Sequence, residues 1–144
     1  MNKHIRKPSG KEIRPAYYIF CEGESEEAYI SFLKNYYRVP IQLIPKITKN
    51  SISEKYIATS LKQYTSHEKD KIFLLYDIDV KGMLVKLQSI KNTSLLASNP
   101  CLELWYLLHF VNQTGQIKTN DCINKLERII KGYSKGEITS KLRL

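Results

Sequence analysis

Two short runs in this chain are apolar at consecutive positions, not at every second one: Ala16-Tyr17-Tyr18-Ile19-Phe20-Cys21 and, after Lys71, Ile72-Phe73-Leu74-Leu75-Tyr76. A strand with one wet face alternates polar and apolar residues, so a strand that is apolar on both sides needs cover on both. Each run precedes a segment with helical spacing. After the first, Tyr29, Phe32, Leu33, Tyr36 and Tyr37 recur at intervals of three and four. A helix is expected there to about Arg38, opened by acids that favour a helix N-terminus and ended by Pro40. Ile41–Ile44 reads as a second strand, with Pro45 making it short or placing it at an edge. Ser53 caps a helix over Glu54–Ser66, with Ile57, Leu61 and Tyr64 inward. After the Lys71–Tyr76 strand come a helix near Val80–Ile90 and a short strand, Ser94–Ala97. Asn99 and Pro100 suit the N-cap and first position of a helix. From Leu102 to Val111 that helix is apolar nearly all round, which predicts a central, buried element. A last helix is expected over Asp121–Lys131. The order β-α-β-α-β-α-β-α implies an α/β fold: a mainly parallel four-stranded sheet flanked by helices. The expected organisation is a basic leader, residues 1–15, and one domain over 16–144.

Against this frame the acids stand out. Lys and Arg number 23 and Asp and Glu 14, a formal net charge of +9, yet five carboxylates sit at the starts and ends of expected elements. Ligands in open parallel sheets gather beyond the carboxyl ends of the strands; Glu22 follows the first strand and Asp77 the third. Asp77 and Asp79, two apart, point the same way roughly 6.5 Å apart if the backbone stays extended. The competing reading is a turn in which Asp caps the next helix. Glu22 alone would be a plain turn with Gly23; beside Asp77 it reads as a ligand or general base. Glu26 lies about one helical turn further on, as a ligand or a partner of the helix dipole, while Glu24 and Glu27 read as solvated. Glu103 falls among Leu102, Leu104, Trp105, Leu107 and Leu108, where an ionised carboxylate needs a metal, a hydrogen bond or a cation such as Arg128 or Lys86. Acids that close repel, and all stay ionised only with positive charge between them; hard oxygen donors suit Mg²⁺ or Mn²⁺.

Composition excludes several other chemistries. Cys21, Cys101 and Cys122 are scattered, with no Cys-x-x-Cys pair, against both a disulfide framework and a zinc site. No apolar run follows the basic start, and none is long enough to span a bilayer, so no membrane association and a cytoplasmic location are expected. Basic stretches at both ends, Lys3 to Arg14 and Lys125 to Arg143, suit a polyanionic partner such as nucleic acid; a lysine-rich solvated surface is the plain alternative.

The run Ile19-Phe20-Cys21-Glu22-Gly23-Glu24-Ser25-Glu26, then Tyr76-Asp77-Ile78-Asp79, then Ala97-Ser98-Asn99-Pro100-Cys101-Leu102-Glu103-Leu104-Trp105-Tyr106-Leu107-Leu108-His109-Phe110 resembles the RloB-like proteins. These belong to the TOPRIM superfamily alongside the OLD-type nucleases. The third segment is the most specific, and the likeness covers about Tyr17–Phe110. It implies a compact TOPRIM-like fold and Mg²⁺- or Mn²⁺-dependent cutting of phosphodiesters. It further implies Glu22, Asp77 and Asp79 as catalytic residues and metal ligands, with Glu26 and Glu103 completing the ligand set. A setting in restriction or phage defence follows, with DNA or RNA as substrate and a partner ATPase or other defence protein. Such proteins usually continue through further helices, so a shortened C-terminus is expected, with Lys135 a candidate for a basic residue otherwise supplied there. Two other functions fit the residues: a non-catalytic nucleotide or nucleic-acid binding module of a defence complex, and a receiver-like phosphoacceptor at Asp77. The last lacks an obvious Ser/Thr and Lys pair.

Overall fold

The computed structural model describes residues 13–38 and 42–138. Its elements are β1 (Ala16–Cys21), α1 (Glu24–Tyr37), β2 (Gln42–Ile47), α2 (Glu54–Leu61), β3 (Lys71–Asp77), α3 (Met83–Gln88), β4 (Ser94–Ser98), α4 (Glu103–Leu108) and α5 (Thr119–Ile129). The strands form one sheet in the order β2-β1-β3-β4, and every neighbouring pair is parallel. This is the expected α/β architecture.

The consecutive apolar residues of β1 and β3 divide between two faces. Tyr18, Phe20, Leu74 and Tyr76 pack with Ile57 of α2 and Met83 and Leu87 of α3. Ile19, Cys21 and Leu75 pack on the other face with Ile30 of α1. Phe20, Cys21, Leu74 and Tyr76 are each fully buried, a gain of about 1.5–3 kcal/mol for each large apolar side chain. A third cluster joins Leu102, Tyr106 and Leu107 at α4 to Cys122, Leu126 and Ile130 at α5. No helix among the described residues is long and apolar enough to cross a membrane.

Several boundaries differ from expectation. β2 runs through Pro45 to Ile47, which its edge position permits because proline's missing N–H can face outward. Pro40, Ile41, most of the basic leader, Lys141 and Arg143 lie outside the described residues. Ser53 Oγ accepts from the Tyr56 N–H at 3.1 Å, the expected cap, but α2 stops at Leu61. Tyr64 still points inward, its ring 5.2 Å from that of Tyr18, held from a turn. α3 starts only at Met83, after Gly82 in the left-handed conformation at φ 84°. Asn99-Pro100 does not open α4: that peptide bond is cis and the helix begins at Glu103. Nor is α4 central and enclosed. Glu103, Tyr106 and Leu107 are buried, while Trp105 is 48% and Leu108 47% exposed. An all-apolar helix is buried only where neighbours cover every face, and here one side faces α5 while no described element covers the other.

Candidate metal and phosphate site at the carboxyl edge of the sheet

Because β1 and β3 are parallel neighbours, with Cys21 level with Leu75, the residues after both strands emerge at one edge. The Glu22 N–H donates to the Leu75 carbonyl at 3.2 Å, and the Asp77 N–H donates to Glu22 Oε2 at 3.1 Å. The two strand ends are thus tied through a catalytic candidate's own carboxylate. α1 starts at the same place, with Gly23 as N-cap in extended backbone that any residue adopts. Glu26 Oε2 accepts from the Gly23 N–H at 3.0 Å and is 5% exposed, so it caps the helix and faces the site at once. Ser25 Oγ donates to Glu103 Oε1 at 3.2 Å, joining α1 to the fully buried start of α4. Between these elements lies a cleft of about 620 Å³, walled by Glu22, Glu26 and Asp77 on one side and reached by Lys49, Asn50 and Lys135. Glu103 is buried behind Ser25.

Electrostatics follow from this crowding. Burial, then the charges of Glu26, Glu22 and Glu103, push the Asp77 carboxyl up to about 8, with Lys135 pulling the other way. Burial raises Glu26 as well; its backbone hydrogen bonds oppose this, and Glu103 and Glu22 add to it. Asp77 Oδ1 and Glu103 Oε2 are buried without a hydrogen-bond partner. A carboxyl whose folded pKa lies above its unfolded value binds more protons in the folded state, so stability falls as pH rises between the two values. The metal-free protein is expected to lose stability from about pH 4 to about pH 8. Melting curves across that range check it; Asp77→Asn should flatten the profile. The cysteines offer no nucleophile: burial pushes the Cys21 thiol up to about 12 and raises Cys101 and Cys122 also.

Of the five acids singled out in the sequence, Glu22, Glu26, Asp77 and Glu103 come together. Asp79 does not join them in the cleft wall. β3 ends at Asp77, so strand alternation no longer governs Asp79, which is exposed and accepts from Thr119 Oγ1 at 3.5 Å. The cations considered for Glu103 are elsewhere: Lys86 Nζ donates to the Asn50 carbonyl at 2.7 Å, and Arg128 is an exposed residue of α5. Glu24 is exposed as expected; Glu27 is half-buried. His109 Nδ1 contacts the Trp105 carbonyl at 2.7 Å and has no place in the cleft. Among the described residues, no three acidic, cysteine or histidine side chains already converge on one ion-sized point.

The segment after β2 also shapes the cleft, although its sequence does not mark it out. Tyr76 is fully buried, and its hydroxyl donates to the Lys49 carbonyl at 3.1 Å while in hydrogen-bond contact with Thr48 Oγ1. The Thr48 N–H donates to the Cys21 carbonyl at 2.9 Å. These bonds hold Lys49 in the left-handed conformation, φ 47°, at the cleft; a non-glycine residue there costs about 1–2 kcal/mol. The only sequence signal was Thr-Lys-Asn directly after a strand. Tyr76→Phe removes the hydroxyl without changing the ring, and an expected loss of about 1–2 kcal/mol in urea unfolding checks the tie.

The fold and its site define an α/β protein with an acid-lined cleft, bordered by lysines, at the carboxyl edge of a parallel sheet. The chain belongs to the RloB-like protein family, whose model matches residues 17–143. No curated protein and no solved structure gives a significant match.

Proposed function

We propose that the cleft holds one or two Mg²⁺ or Mn²⁺ ions and that the protein is a metal-dependent nuclease acting on DNA or RNA phosphodiesters. The observation that carries this is Asp77, a partly buried carboxylate with one orphaned oxygen, facing three other carboxylates in a chain of net charge +9. Such a group is costly unless a cation answers it. The donors fit a hard divalent ion: Asp77 Oδ1 and Glu103 Oε2 are unpaired, Glu22 has one oxygen beyond its bond to the Asp77 N–H, and Glu26 lines the same wall. Asp79, exposed and outside the cleft wall, would join the set only as an outer member. When bound, the ion would polarise a phosphodiester and lower the pKa of an attacking water. The chain's own groups orient: Glu22 fixes the backbone that carries Asp77, and Glu26 fixes the start of α1. Lys49 and Lys135 supply the positive charge that positions a phosphate. The motif resemblance adds the TOPRIM assignment, a cytoplasmic phage-defence or restriction setting and a partner ATPase.

A second reading, a non-catalytic nucleotide or nucleic-acid binding module, draws support from the lack of a ready-made triad of ligands among the described residues. Titration of Mg²⁺ and Mn²⁺ with supercoiled plasmid and single-stranded RNA, side by side, separates the two. Cleavage of either that is lost in Asp77→Asn supports the nuclease. Metal binding without cleavage favours the binding module, and no metal binding overturns both metal roles.

A further inference from the structure

The two edges of the sheet are built differently. β2 reads Gln42-Leu43-Ile44-Pro45-Lys46-Ile47 and carries a proline and a lysine, two of the devices that stop an edge from pairing with another chain. β4 reads Ser94-Leu95-Leu96-Ala97-Ser98 and carries neither, nor any other charge, although it ends the strand order β2-β1-β3-β4 among the described residues. Leu96 at its centre is 44% exposed. Beside β4, on the α1 face, an apolar groove of about 590 Å³ is lined by Leu75, Leu96, Leu102, Trp105 and Leu108. Its outer members remain open because α1 packs over β1, β2 and β3, and α4 turns its other side to α5.

We propose that β4 is a dimerisation edge, pairing antiparallel with β4 of a second copy across a two-fold axis. The strand is nearly palindromic. With Leu96 on the axis, Leu96 faces Leu96, Leu95 faces Ala97, and Ser94 faces Ser98 of the other copy, so one patch is complementary to itself, as a two-fold contact demands. Charge selects the same place. A chain of net charge +9 repels its own copy, yet Ser94–Ser98 brings no cation to the contact. Pairing satisfies the outward N–H and C=O groups of β4 and joins two four-stranded sheets into one of eight. A two-fold axis normal to the sheet keeps both apolar grooves on the same side, where they shield one another at the seam. The contact leaves the carboxyl-edge cleft of each copy open, and it stands whether or not that cleft is a nuclease site.

Sedimentation velocity of the whole chain at low and high micromolar concentration tests this, with Leu96→Lys as the variant. The new side chain starts from an exposed position, so the fold should persist, which circular dichroism verifies. Two lysines at the axis should raise the dimer dissociation constant about tenfold or more. The expected result is a wild-type dimer that Leu96→Lys converts to a folded monomer. Should Leu96→Lys misfold, Leu96→Thr, which suits a strand but removes apolar contact, replaces it with the same expectation. Trp105, the chain's single tryptophan, gives an independent readout: its emission should shift to the blue as the dimer forms. A wild type that stays monomeric at high concentration would overturn the proposal and leave the edge to a strand of another protein. So would a charged variant as dimeric as the wild type, or dimerisation with unchanged Trp105 emission.

Discussion

Asp77→Asn is expected to stabilise the metal-free protein and to remove its response to Mn²⁺. In the wild type the Asp77 carboxyl meets the fields of Glu26, Glu22 and Glu103 and is pushed up to about 8, so ionising it at neutral pH opposes folding. Water in the cleft screens part of this, leaving an expected gain of about 2 kcal/mol for the neutral amide at pH 8. The gain should shrink as the pH falls towards 4 and vanish below the unfolded-state value, where the carboxyl is protonated in both states. With metal present the order reverses. The wild type should gain stability through preferential binding to the folded state, and the variant should not. Losing a residue that only hydrogen-bonds a metal ligand costs about 10–100-fold in metal affinity, so losing a direct ligand should cost on the order of 100-fold or more. The proposed nuclease activity should fall at least as far. Asp79→Asn should do less on every count, because Asp79 stands outside the cleft wall. Thermal melts at pH 4 and pH 8, with and without Mn²⁺, check all of these outcomes.

Glu103→Gln carries the second large effect. Glu103 is fully buried; Ser25 Oγ supplies its one hydrogen bond among the described residues, and Oε2 has none. Its neighbours among the described residues include no hydrogen-bonded cation. Cys101, Tyr106 and Tyr133 are held protonated, by burial first and by the Glu103 charge as well. Glutamine keeps the shape and the acceptor for Ser25 while removing a charge that repels Asp77 and Glu26. The metal-free variant should therefore match or exceed the wild type by about 1 kcal/mol, with a weakened metal response. A buried ion pair would behave in the opposite sense, with a loss of about 3 kcal/mol on stranding the cation. Glu103→Ala controls for packing: it leaves Ser25 unpaired and opens a cavity, and should destabilise with or without metal.

The acids that were legible in the sequence were those whose position depends on strand ends. A strand apolar at consecutive residues must be covered on both faces, and that requirement gave the sheet, its parallel sense and the level at which Glu22 and Asp77 emerge. Asp79 stands apart from Asp77 because the two-residue alternation that would pair them stops where β3 stops. The reading of α4 as enclosed failed for a related reason: periodicity reports which residues are apolar, not whether a neighbour exists to cover them. Trp105 and Leu108 lie on the side that no described element covers. Lys49 was not legible at all. Its place depends on a buried tyrosine hydroxyl reaching the loop after β2 from the end of β3, a contact between residues 27 apart. Lys135, noted only as a substitute for a missing basic residue, reaches the cleft by tertiary packing beyond α5.

The claim that the carboxyl-edge cleft is a divalent-cation site is tested most directly by calorimetric titration of Mn²⁺ into the metal-free protein near pH 7, in two buffers of different ionisation enthalpy. Binding should release protons, because Asp77 must ionise to become a ligand. Asp77→Asn should abolish both the proton release and most of the affinity. Equal binding by wild type and Asp77→Asn, with no difference between buffers, would contradict the account.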